Sequence, residues 1–238
     1  MKNIVKYDLK KMKNSKFFYV CSLLVLLLTW ITVESQYTYI SCMKEGVVAV
    51  VANAGIEMVL AVAVPLFICD DFENGAVRLI LGRGYTREKY WIGKYCSAIL
   101  LTCYLFLLTV FGTMVFLNLK GCEGSITFGS IENLIAQWLL MLVLVSLFVM
   151  FSMLFKKKAG AIAIGVLLPS VVALVLSGID IISHMKYELN AFWVSSFLIK
   201  LGDVGISDIS RMKIVLASII YIGVFDVISY GVVRKIDL

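Results

Sequence analysis

The sequence predicts an all-α polytopic membrane protein with six transmembrane helices and both termini in the cytoplasm. Three observations carry that prediction. Six apolar runs each approach the roughly 20 residues that a spanning helix needs. The 238-residue chain is 61% hydrophobic and 16% charged, so lipid rather than water must solvate most of its side chains. Its basic residues also cluster on alternate connections, as the positive-inside rule requires.

The chain reads as one transmembrane domain over 1–238. Residues 1–16 are basic and weakly amphipathic. On a helical projection Ile4, Val5, Leu9 and Met12 share one face, while Lys2, Lys6, Lys10 and Lys13 gather on another. A helix in the headgroup layer suits that pattern, with lysine stems snorkelling to water. A cleaved signal peptide is the rival, but no small-x-small cleavage site closes the apolar run that follows.

The spans fall at about 17–33, 47–68, 95–117, 134–155, 159–182 and 214–233. With both termini inside, sixteen of the 22 Lys and Arg lie on cytoplasmic segments. The net charge of +6 is therefore a membrane signal, not a nucleic-acid one. Pro65 and Pro169 are expected to kink or loosen spans two and five. Small residues recur in span five; Ala161 and Gly165, four apart, let a neighbouring helix come close. The outer connection, 183–213, carries an apolar piece at 191–199 that is too short to span. Phe192 and Trp193 are expected there at the membrane interface.

The most charged interior stretch is 69–94, between spans two and three. Asp70, Asp71 and Glu73 lead into Val77, Leu79, Ile80 and Leu81; Gly82 and Gly84 then break the helix, since glycine is costly inside one. Thr86 suits an N-cap, with Glu88 in the first turn, where an anion meets the helix dipole. A solvated loop with positive-inside charge would have the same composition. The order of residues says more. Asp71, Phe72, Glu73, Asn74 and Gly75, then Arg78 and Leu81, then Gly84, Tyr85, Thr86 and Arg87, then Tyr90 and Lys94 resemble the loop between spans two and three of ABC type-2 exporter permeases. The resemblance is specific over about 25 residues; elsewhere it rests on hydropathy and the six-span layout.

That resemblance implies a cytosolic coupling helix within 70–94 that docks on a separate ATPase. It implies two permease copies, identical or paralogous, paired with two ATPases that hold ATP and Mg; this chain itself would bind no cofactor. Small size and the lack of a large outer domain resemble peptide-exporting and bacteriocin-immunity members, in a bacterial plasma membrane. Substrates would then be hydrophobic or amphipathic, such as peptides.

Three carboxylates fall within spans: Glu57, Asp180 and Asp226. A charge at mid-membrane costs roughly 2.5–3.5 kcal/mol, so each should face protein or a wet cavity. Asn53, one turn from Glu57, joins Glu57 and Asp226 as a candidate pathway lining. The same carboxyls could instead tie helices together, or serve as proton sites of an ion-coupled secondary transporter.

Enzymatic readings find little. There is no G-x-x-x-x-G-K-[ST], so the chain has no P-loop. A single histidine, His184, gives no H-E-x-x-H site and makes a Ser-His triad within the membrane implausible. The six cysteines form no C-x-x-C. Cys42 and Cys122 both fall on the predicted outer side, where a disulfide is conceivable. The topology predicts that, in a cysteine-free background, Gly121→Cys reacts with an impermeant thiol reagent in intact cells and Gly82→Cys does not. Labelling at position 82 would overturn the six-span order.

Overall fold

The computed structural model describes residues 2–40, 42–122, 124–182, 193–203 and 205–234. It is all-helical, with no strand among the described residues. In chain order the helices are α1 (Lys2–Asn14), α2 (Lys16–Gln36), α3 (Met43–Asn53), α4 (Ile56–Glu73), α5 (Ala76–Gly82), α6 (Arg87–Leu119), α7 (Phe128–Phe155), α8 (Lys158–Ile182), α9 (Val194–Leu201) and α10 (Asp208–Arg234). Helices α2, α6, α7, α8 and α10 are each long and apolar enough to cross a membrane. The bent pair α3–α4 makes a sixth crossing if it is one span.

That pair corrects the second predicted span. The continuous run 47–68 is two helices meeting at 45°. The bend falls at Gly55, which sits at φ +67°, a left-handed conformation that side chains with a Cβ resist. Pro65 does not break the chain; α4 runs through it, as α8 runs through Pro169. Helix α6 begins at Arg87, directly after the expected Thr86 cap and eight residues before the apolar run that starts at 95. Its 33 residues reach roughly 50 Å at 1.5 Å per residue, well beyond a hydrocarbon core of roughly 30 Å. Its first two turns precede the apolar run, at the end where α5 lies.

Helix α7 is the hub. It touches α3, α4, α6, α8, α9 and α10 and is mostly buried, whereas α8 and α10 leave most of their surface open. Lipid tails are as apolar as leucine, so close packing rather than water exclusion must hold such helices together. The small-residue stripe of α8 works in this way inside the chain. A Cβ on Gly165 would come within 3.2 Å of the Ala61 carbonyl of α4 and 3.5 Å of Phe148 on α7.

The segment around α9 packs into the bundle. Val194, Phe197, Leu198 and Leu201 are buried. Gln137 of α7 donates from Nε2 to Val48 O (3.0 Å) and Leu201 O (3.1 Å), joining α3, α7 and α9. Trp193 donates to Pro169 O (3.1 Å). Phe192 and His184 lie outside the described residues. Cys42 and Cys122 are free thiols, so the conceivable disulfide is not formed.

Filling the α4–α8 contact should separate the two helices. Gly165→Leu is expected to cost about 1–3 kcal/mol through overpacking. Gly178→Leu, at a glycine on the same helix with nothing within 4 Å of its Cβ position, should be near neutral. Thermal unfolding of both variants in nanodiscs checks the contrast.

Candidate functional site

At the end of the bundle that carries α1 and α5, seven charged side chains form one chain. Lys94 of α6 is fully buried, with Nζ 2.6 Å from Asp8 Oδ1 and 2.5 Å from Asp71 Oδ2. Asp71 Oδ1 accepts from Lys11 (2.7 Å), which also meets Asp70 (2.5 Å). Asp70 meets Lys158 (2.7 Å), and Lys158 meets Glu73 (3.2 Å). Acid and base alternate throughout, so no carboxylate has another carboxylate as its nearest charge.

Local sequence explains each placement. Asp8 lies four residues from Ile4 and four from Met12; all three are buried on one face of α1, because residues four apart stack on a helix. That corrects the projected apolar face: Leu9 is exposed and the inward stripe contains an acid. Asp70, Asp71 and Glu73 occupy the last turn of α4. Asp71 points inward and is 0% exposed, while Glu73 faces out to the start of α8. There Glu73 Oε1 accepts from the Lys158 backbone N–H (2.9 Å), placing an anion at a helix N-terminus.

The innermost part is dry. Asp8, Asp71, Lys94 and Ser97 are all 0% exposed. Ser97 donates to Asp8 Oδ2 (2.9 Å). The Lys94 ammonium also lies 4.6 Å from the Phe67 ring centre, within cation–π range. Burial pushes the Asp8 carboxyl above its ordinary range, against the downward pull of Lys94 and Ser97. Burial alone would lower the Lys11 pKa, but hydrogen bonds to Asp70 and Asp71 outweigh it and hold that ammonium above its usual value.

The coupling residues read from sequence divide into two groups around this network. Asp71 and Val77 are buried within the chain, so neither is free to dock. Phe72 is half-buried, edge-on to Tyr90 at 6.2 Å. Glu73 is engaged by Lys158. Asn74 caps α4, its N–H bonded to Asp70 O (3.0 Å). Gly75 (φ +69°) and Gly84 (φ +85°) both take the left-handed conformation and bracket α5; Gly82 is α5's last residue. Arg78 and Leu79 are exposed, Leu79 at 68%, and Leu81 is half-buried. Thr86 does cap α6, accepting from Lys89 N (3.3 Å). Arg87 donates to Arg234 O (2.9 Å), tying the start of α6 to the end of α10.

Helix α5 borders a groove of about 280 Å³ shared with α1, lined by Ile4, Tyr7, Ala76, Leu79, Ile80 and Arg83, with Tyr85 beyond. Tyr7 is 51% exposed.

The intramembrane polar residues are not brought together. Asn53 ends α3 and donates to Ala49 O (2.8 Å), with the bend between it and Glu57. Glu57 starts α4 and borders a cavity of about 30 Å³ with Leu144, Phe148 and Pro169. Asp226 lies instead beside Tyr95 and Ser146, which are themselves 2.6 Å apart. Ser146 is two residues from both Leu144 and Phe148, on the other flank of α7. One shared lining of Glu57 and Asp226 does not form within a single chain. Asp180 is buried. Among the described residues no group of three His, Cys, Asp or Glu is placed to hold a metal.

Sequence reasoning missed Asp8, Lys11 and Lys158 as site residues, and read Lys94 only as the end of the loop motif. The available signal for Asp8 was its place as the only acid among the first sixteen residues.

Fold and site define an all-helical protein with membrane-length helices and a charge-locked joint beneath a short, partly exposed surface helix. The chain belongs to the family described as "Protein of unknown function (DUF2705)", whose model matches residues 48–238. Asp70, Asp71, Lys94 and Lys158 lie within the matched stretch; Asp8 and Lys11 precede it. No curated protein matches the chain.

Lys94 neutralises two buried carboxylates, so removing it should be far worse than removing an exposed lysine. Lys94→Met is expected to cost about 3–5 kcal/mol, the penalty of an uncompensated buried charge. Adding Asp8→Asn should recover part of that loss. Denaturant unfolding as a double-mutant cycle, with Lys13→Met as control, tests this. A Lys94→Met variant as stable as the control would remove the network's central ion pair from the account.

Proposed function

We propose that the chain is the transmembrane permease subunit of an ATP-driven ABC exporter of the type-2 class. One observation carries the reading. Helix α5 is a short amphipathic element flanked by two left-handed glycines, set at the most basic end of the bundle. It presents Arg78 and Leu79 to solvent while Val77 anchors it inward. Its mount is the charge network, which binds the end of α4 to α1, α6 and α8. Displacement of α5 would therefore pass into four membrane-associated helices rather than be lost in a loose loop.

In this reading α5 and the α1–α5 groove take up the ATPase, and the basic end is cytoplasmic. ATP and Mg reside on that partner, and a second permease copy completes the transport unit. The cargo would be a hydrophobic or amphipathic molecule, such as a peptide, moved out of a bacterial plasma membrane or cell. A single pathway lined by both Glu57 and Asp226 would need that second copy, because α7 separates the two within one chain.

The second reading is an ion-coupled secondary transporter. It draws on the broken α3–α4 pair, with Glu57 at the first turn after the break, since interrupted helices commonly line transport sites. Transport by the purified chain alone in liposomes would favour it.

Interface anchors commonly contribute about 2 kcal/mol or more each, so the double change Arg78→Ala plus Leu79→Ala should abolish ATPase co-purification. Leu119→Ala, an exposed leucine at the opposite end of α6, should leave it intact. Undiminished co-purification and substrate-stimulated hydrolysis in the double variant would contradict the coupling role of α5.

A further inference from the structure

A second cavity, of about 260 Å³, opens beside the network between α1, α2, α4 and α6. Its body is apolar, formed by Phe18, Cys21, Ala63 and Phe67 among others. Its charged end is formed by Lys11, Asp70 and Lys158. These three belong to the open part of the network, with side chains 24%, 26% and 30% exposed. Along α4, Asp70 lies seven residues beyond Ala63, about 10 Å at 1.5 Å per residue. Charge and apolar surface are thus separated along the helix direction, as headgroup and acyl chain are in a lipid. The position agrees: α1 carries the charged end where the first apolar helix, α2, begins.

The signs at that end select the headgroup. Lys11 and Lys158 flank Asp70, and Glu73 holds Lys158 from behind. With Asp8, Asp71 and Lys94 these charges make four carboxylates to three ammonium groups. An anionic headgroup would add to that surplus of acid. A zwitterion can place its ammonium against Asp70, toward the surplus, and its phosphate against the lysines. An ammonium with N–H groups can also donate to the carboxylate, as a quaternary ammonium cannot.

We propose that this cavity is a specific site for a zwitterionic glycerophospholipid with a primary ammonium, the chemistry of phosphatidylethanolamine. The bound lipid sits against α1 and the end of α4, so it bears directly on the joint beneath α5. The site does not depend on ATPase coupling: a chain that binds no ATPase would still show it, and an ATPase-coupled chain could lack it.

Native mass spectrometry of the purified full chain tests this, with phosphatidylethanolamine, phosphatidylcholine and phosphatidylglycerol of identical acyl chains. The first should be retained roughly tenfold better than the other two, the least expected of one hydrogen bond to a charged group. Asp70→Asn should erase that preference, and Ala63→Leu, which fills the apolar end, should weaken retention of the ethanolamine lipid. Equal retention of the three lipids by the unaltered chain would overturn the proposal. So would a preference that survives Asp70→Asn, or ethanolamine adducts undiminished by Ala63→Leu.

Discussion

The structure depends on one ammonium group. Lys94 lies fully buried between Asp8 and Asp71, on three helices far apart in sequence. Stripping water from three charges costs several kcal/mol for each ion, and close contacts return that only when geometry is good. Such a cluster is weak evidence for extra stability but strong evidence for fixed geometry, because few arrangements leave all three charges paired. Lys11 supplies the fourth charge and makes the inner group neutral. Asp70, Lys158 and Glu73 then extend the same alternation to the surface, where exposure makes each pair individually weak.

Geometry fixed at this point has a mechanical consequence. Asp71 lies in the last turn of α4, shortly before Gly75, and Lys94 lies two turns into α6, after Gly84. Helix α5 therefore hangs between two glycine pivots whose far sides are pinned to each other through one ion pair. The network ties the two flanks of α5 to each other through Asp71 and Lys94. At the opposite end the ties are of another kind: Lys120 meets Glu34 at the surface (2.7 Å), and Gln137 joins backbone carbonyls of α3 and α9. The two ends differ in the burial of their ion pairs: Lys120–Glu34 and Arg211–Glu132 at this end are partly exposed, whereas Lys94 and its two carboxylates are fully buried.

Much of this was legible in the sequence, and the exceptions have physical reasons. The long helices α2, α6, α7, α8 and α10 follow from apolar length alone, and the Thr86 cap from local chemistry. The bend at Gly55 was not legible, because glycine within an apolar run is common and only its left-handed backbone breaks the helix. The inward face of α1 was misjudged because a polar residue was assigned to water; Asp8 is inward because a lysine 86 residues away meets it there. Asp71 was placed on a docking surface for the same reason. Hydropathy reports what a side chain costs to bury, not which partner offsets that cost. The separation of Glu57 from Asp226 likewise depends on which flank of α7 each helix packs against, and span positions alone do not specify that.

The central claim is that the charge-mounted α5 serves a nucleotide-hydrolysing partner. The most direct measurement is purification of the native assembly from its own membrane in mild detergent, followed by assay of the intact complex for ATP hydrolysis. The account predicts a stoichiometric second polypeptide carrying a P-loop, with hydrolysis that co-migrates with this chain. A chain that purifies without any nucleotide-binding subunit, yet transports substrate when reconstituted alone, would contradict it.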